Sequence, residues 1–177
     1  MIRTIVLVLS AYLAVIAQDF IPGMPFFAGA HVLLLPVIVC YAMLWLPFPA
    51  ALGFALYAGL IGDLASLHVN GDGVEIGLGW SMLYYVLLAA VLHFRGRLAG
   101  LRWETHCLAS GAATFFLLAG QYLMLWLRRE SMAFDSVIFA RIGGPSLASL
   151  LVAPLLYFFF GLFPGGFRGR RSRRVNR

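Results

Sequence analysis

Six long apolar runs, separated by short polar or turn-rich breaks, constrain this chain more than anything else. They cover about Ile5–Ile21, Ala28–Leu46, Phe48–Leu67, Ile76–Phe94, His106–Leu127 and Ile142–Phe163. Runs of this length and polarity read as membrane-spanning helices. The chain has 177 residues, 62% hydrophobic and only 11% charged. A soluble domain carries roughly 25% charged residues, so a soluble globule is excluded. Six helices of about 20 residues use about 120 positions. The expected fold is therefore all-α: a polytopic membrane bundle of about six transmembrane helices. Residues 1–167 form the integral membrane domain, and 168–177 an Arg-rich tail. The breaks fit. Only Pro47 and Pro49 separate the second and third runs, which predicts a tight hairpin. Gly143, Gly144 and Pro145 are expected to open the sixth run.

Arg supplies all 13 basic residues. With the N-terminus inside and six spans, the inner side holds Arg3, the loop residues Arg95, Arg97 and Arg102, and the six Arg of the tail. The outer side holds Arg128, Arg129 and Arg141. That imbalance predicts that both termini are cytoplasmic. The tail holds the C-terminus inside or meets anionic lipid; nucleic acid is not expected as a partner. Trp45, Trp80, Trp103 and Trp126 fall near run ends, where indole rings anchor at the interface. Cys40 and Cys107 read as small buried hydrophobes.

Asp63 is the residue that stands out. A carboxyl group inside an apolar run is expensive and normally faces protein or water. Ala51, Ala55, Gly59 and Asp63 recur every four residues on one helix face, with Ala58, Gly62 and Ser66 as a neighbouring row. Small residues at this spacing let another helix approach closely. From Phe48, fifteen residues at 1.5 Å each place Asp63 about 22 Å along the helix, in the outer leaflet. Three roles compete: buried packing and hydrogen bonding, simple contact with the outer interface, or a proton or cation site. Ser10, Ala14 and Ala17 form a smaller packing face on the first run.

Catalytic and metal patterns are not found. His68-x-Asn70-x-Asp72-Gly73 echoes a calcium loop, but position twelve is Gly79 rather than Glu. Asp72 and Glu75 read as a solvated turn. His93 and His106 flank the basic inner loop and read as interfacial. No cofactor or metal is expected, and no enzyme. A lipid-active enzyme needs clustered acids or histidines at one membrane face, and the inner loops offer only Glu104 as a carboxylate.

The segment Gly59-Leu60-Ile61-Gly62-Asp63-Leu64, followed by Ile76-Gly77-Leu78-Gly79-Trp80 and Tyr84-Tyr85-Val86, resembles the signature of the rod shape-determining protein MreD family. Pro145 and Ala153-Pro154-Leu155-Leu156-Tyr157 resemble that family's last span. Size, span count and basic tail agree over the whole chain. The resemblance implies a multi-pass protein of the bacterial inner (cytoplasmic) membrane. It implies a non-enzymatic scaffold of the elongation machinery (the elongasome), which inserts lateral peptidoglycan and maintains rod shape. The implied partners are an MreC-like bitopic protein, the glycosyltransferase RodA with its transpeptidase, and indirectly MreB filaments. The implied fold is similar to the substrate-binding membrane subunit of energy-coupling-factor transporters. Gly59, Gly62, Asp63, Ala51 and Ala55 are then the expected residues of partner and helix packing. The rival is a substrate-binding subunit of a vitamin or metal transporter, with Asp63, His68, Asp72 and Gln121 contributing to a pocket.

Overall fold

The computed structural model describes residues 2–27, 29–66, 69–70, 73–74, 79–99, 103–129 and 136–161. Six α-helices follow one another: α1 (Ile2–Phe20), α2 (Leu35–Trp45), α3 (Phe48–Ala65), α4 (Trp80–Ala99), α5 (Trp103–Arg129) and α6 (Ser136–Gly161). Between α3 and α4, β1 (Val69–Asn70) and β2 (Gly73–Val74) pair antiparallel, Val69 opposite Val74. The tail 168–177, Arg102, His68, Asp72 and Glu75 lie outside the described residues.

The outer surface of this bundle is as apolar as its core. On α6 the outward positions are Leu147, Leu151, Leu155, Phe158 and Phe159, while Ser146, Ser149 and Ala153 are buried. On α5 Leu108, Phe116 and Leu123 face out, and Ser110, Ala113 and Thr114 are buried. Large apolar side chains outside and small or hydroxyl residues inside are what lipid demands of a helix bundle. The α3, α5 and α6 helices are long and apolar enough to cross a membrane, over Phe48–Ala65, Trp103–Leu127 and Val137–Gly161. The protein has the make-up of a helical membrane protein.

The second apolar run departs from expectation. Only Leu35–Trp45 is helical, 11 residues, or about 16 Å at 1.5 Å each. The chain before it is irregular: a 3-10 turn at Pro25–Phe27, a bridge between Met24 and Ala30, then residues 31–34 without regular structure, with Leu34 already in the right-handed helical region. Pro36 explains where the helix begins. A proline fits the first turn, where its missing N–H has no intrahelical acceptor, but not a helix interior. The exposed main chain is satisfied from neighbouring helices. Gln18 Oε1 at the end of α1 accepts from Leu34 N at 2.9 Å and Leu35 N at 3.4 Å. Ser149 Oγ of α6 donates to the Leu33 carbonyl at 3.2 Å. Thr114 Oγ1 of α5 stands 2.9 Å from Ser149 Oγ. Irregular backbone in an apolar setting is tolerated only where protein groups satisfy it in this way.

The sixth run is also corrected. Pro145 does not open α6; the helix starts nine residues earlier and carries Pro145 and Pro154 inside it. Each proline removes one i→i−4 bond. Beside the first, Ser146 Oγ donates to the carbonyl of Ile142, four residues back, at 2.7 Å, a local bond that serine makes inside helices. Gly144 is required here by close approach: an added Cβ would stand 2.5 Å from Phe27 Cβ. Arg141 therefore belongs to α6, not to a loop.

On α1 the buried line is Leu7, Ala11 and Ala14. Ser10 flanks it and turns its hydroxyl back to the Val6 carbonyl at 2.6 Å. The packing face is real, but it is centred on Ala11 and used inside the bundle.

Candidate functional site

The face of α3 singled out by its spacing is buried as a unit. Ala51, Ala55 and Ala58 have no exposed surface, Gly59 is buried, and Asp63 is 3% exposed. What covers it is the chain itself. A Cβ on Gly59 would fall 2.5 Å from the Met82 nitrogen and still nearer Met82 Cα. The backbones of α3 and α4 therefore touch at this point, as small-residue faces allow. Gly62 looks elsewhere: an added Cβ would meet only Leu35 Cδ2 of α2, at 3.1 Å.

Asp63 ends on main-chain donors at the start of α4. Gly79 N donates to Oδ2 at 2.7 Å and Ser81 N to Oδ1 at 3.1 Å. The first bond inside α4 runs from Leu83 N to the Gly79 carbonyl, 3.0 Å, so Gly79 is the N-cap. A helix start leaves four N–H groups without intrahelical partners. A capping side chain normally comes from the N-cap residue. Gly79 has none, and its φ of +104° is a conformation that glycine takes without strain. Asp63, sixteen residues earlier, does the capping instead. Its placement near the positive end of the α4 dipole adds to the same effect. Of the three roles weighed for Asp63, buried packing and hydrogen bonding is the one this geometry displays.

Gly59, Asp63, Ala51 and Ala55 therefore hold the protein's own helices together. They present no exposed surface to a second protein. Two aromatic residues also differ from their sequence reading. Trp80 lies on α5: an added Cβ on Gly120 would come 2.5 Å from Trp80 Cζ2. The indole thus packs helix to helix as well as sitting near a span end. His106 is fully buried, not interfacial, with ring centroids 5.8 Å from Tyr41 and 5.5 Å from Tyr157. Tyr41 in turn stacks on Phe160 at 4.6 Å. His93 is half-buried, 4.8 Å from the Phe48 ring. Cys40 and Cys107 are both buried thiols, as their apolar context implied.

Two concavities remain open. One is an apolar groove of about 320 Å³ between α5 and α6, lined by Phe115, Ala119, Tyr122, Trp126, Phe139 and Ile142 among others. The other, about 330 Å³, lies where the irregular chain before α2 meets α5 and α6, and His31 and Arg141 line it. Neither was visible in the sequence, because each is made by residues far apart in the chain. The pocket foreseen from Asp63, His68, Asp72 and Gln121 is not assembled by Asp63, which is committed to α4; His68 and Asp72 are outside the described residues. Among the described residues no group of three His, Cys, Asp or Glu side chains could hold a metal ion.

No protein-family model, no curated protein and no solved structure matches this chain.

Proposed function

We propose that the protein is a non-enzymatic integral scaffold of the bacterial inner membrane. In this reading it binds an MreC-like single-span partner within the machinery that elongates the cell wall. The groove between α5 and α6 carries the proposal. In lipid there is no hydrophobic drive for helices to associate, so partners are held by shape and close packing. An apolar groove lined largely by aromatic side chains with one alanine among them offers a place for one incoming helix. The face of α3 is closed within the chain, so docking moves from there to α5 and α6. The choice of partner rests on the resemblance of the Gly59–Leu64 and Ile76–Val86 segments to the MreD family.

All six helices cross the membrane in this reading, with both termini in the cytoplasm. The helix α2 alone is too short. The irregular residues 29–34 before it make up the rest of the roughly 30 Å hydrocarbon core in this reading. Fusing a reporter to the C-terminus checks the orientation. A fluorescent protein that matures only in the cytoplasm should glow, and an enzyme active only in the periplasm should stay silent; the reverse pattern overturns it.

The partner is tested by affinity purification in mild detergent from the native membrane, read by mass spectrometry. The expected haul is a bitopic protein with a periplasmic domain, together with cell-wall synthases. Ala119→Trp should fill the groove and cut that recovery about tenfold, the equivalent of about 1.4 kcal/mol, while the variant still inserts. Equal recovery with Ala119→Trp removes the groove from the interface. Recovery of a second membrane subunit with two ATPases instead selects the rival, a transporter's substrate-binding subunit. The polar pocket at His31 and Arg141 is the observation that favours this rival.

A further inference from the structure

The pocket beside the irregular chain carries two basic side chains in a largely apolar lining. Gly29 and Ala30 supply main chain, Leu118 and Pro145 supply walls, and His31 and Arg141 supply cations or donors. Gly29 holds φ at +75°, which turns the chain so that His31 follows directly at the rim. His31 Nδ1 is 3.0 Å from the Ile21 carbonyl. A carbonyl only accepts, so Nδ1 carries a proton, and the other ring nitrogen, Nε2, donates to a phosphate oxygen when the ring is the imidazolium.

Arg141 stands four residues inside the apolar stretch Val137–Gly161, about 6 Å along the helix. A guanidinium that near the end of a span reaches the interface along its aliphatic stem, and Arg141 is exposed there. Arg141 has no ion pair among the described residues. No carboxyl group is among the described residues lining the pocket. Among the described residues the two basic side chains share this pocket with no carboxyl group. Guanidinium groups match the oxygens of phosphate in paired, parallel hydrogen bonds.

We propose that this pocket binds a phosphate group, with Arg141 as its main anchor and His31 as a second ligand. The same chemistry is offered by the phosphodiester of an anionic lipid headgroup and by free phosphate. The position at the edge of a span favours the lipid. The inference stands on the pocket alone and is independent of which partner the protein binds.

The full-length protein is purified in detergent containing equal amounts of phosphatidylglycerol and phosphatidylcholine, and retained lipid is read by native mass spectrometry. In parallel its melting temperature is followed with inorganic phosphate added against chloride at matched ionic strength. The expected result is preferential retention of phosphatidylglycerol by the wild type, reduced about tenfold or more in Arg141→Gln. His31→Gln, an exposed position, should give a smaller loss in the same direction, and it preserves the test should Arg141→Gln fail to fold. Stabilisation by inorganic phosphate without lipid preference assigns the site to a free anion, provided the same variants abolish it. Absence of both effects, or variants that bind as the wild type does, overturns the proposal.

Discussion

Asp63→Ala should cost the protein about 3 kcal/mol of stability. Two main-chain N–H groups, those of Gly79 and Ser81, lose their acceptor. The carboxyl group they share is almost fully buried, and each buried donor left alone costs about 1–3 kcal/mol. The loss should appear as a lower midpoint when the protein is unfolded by heat in mild detergent. Asp63→Asn is the informative companion. Its one amide oxygen can accept from one of the two donors, while its NH₂ confronts the other. It should therefore fall between wild type and alanine. An Asp63→Ala variant as stable as wild type would show that the start of α4 finds other acceptors. Loss of activity in a cell at unchanged stability would point back to a proton or cation role.

Gly59 should be the least replaceable glycine on α3. Any Cβ there meets the Met82 backbone rather than a side chain that can turn away. Overpacking a tight contact costs about 1–3 kcal/mol. Gly59→Ala should sit within that range and Gly59→Leu at or beyond its upper end, since the two helices must separate. Two controls on the same helix make the result specific. An added Cβ on Gly53 meets nothing within 4 Å, so Gly53→Ala should be neutral or stabilising by up to about 1 kcal/mol. Gly62→Ala presses on the flexible end of Leu35 and should cost less than Gly59→Ala. Thermal midpoints of the four variants, with membrane insertion verified, decide the order. Equal effects at Gly53 and Gly59 would refute the close approach of α3 to α4.

What could be read without coordinates was whatever has a period. Ala51, Ala55, Gly59 and Asp63 share a face because four residues nearly complete a turn, and that face is buried as a unit. The partners of the face were hidden for a chemical reason. Asp63 is met by backbone N–H groups, and backbone donors are the same at every residue. The short α2 was hidden because the apolar composition of residues 28–46 does not change where the helix begins; only Pro36 marks the place. Pro145 misled in the opposite way. Its usual place is a first turn, but α6 runs through it. His106 reads as interfacial in sequence because it flanks the basic inner loop, whereas the aromatic rings beside it, Tyr41 and Tyr157, come from α2 and α6. The groove and the polar pocket depend on tertiary placement throughout, with Arg141 legible only as a loop charge.

The caps on α2 and α4 share a direction in time. Gln18 is translated before Leu34 and Leu35, and Asp63 before Gly79 and Ser81. As each of these helices leaves the ribosome, the acceptor for its exposed first turn has already been synthesised in the helix ahead of it. The chain thus emerges as two hairpins, α1 with α2 and α3 with α4, each able to close without waiting for later segments. The irregular residues 31–34 are the exception. Their Leu33 carbonyl is met by Ser149, made more than a hundred residues later. That stretch stays incompletely satisfied until α6 arrives, so the last helix synthesised is also the latch of the assembly.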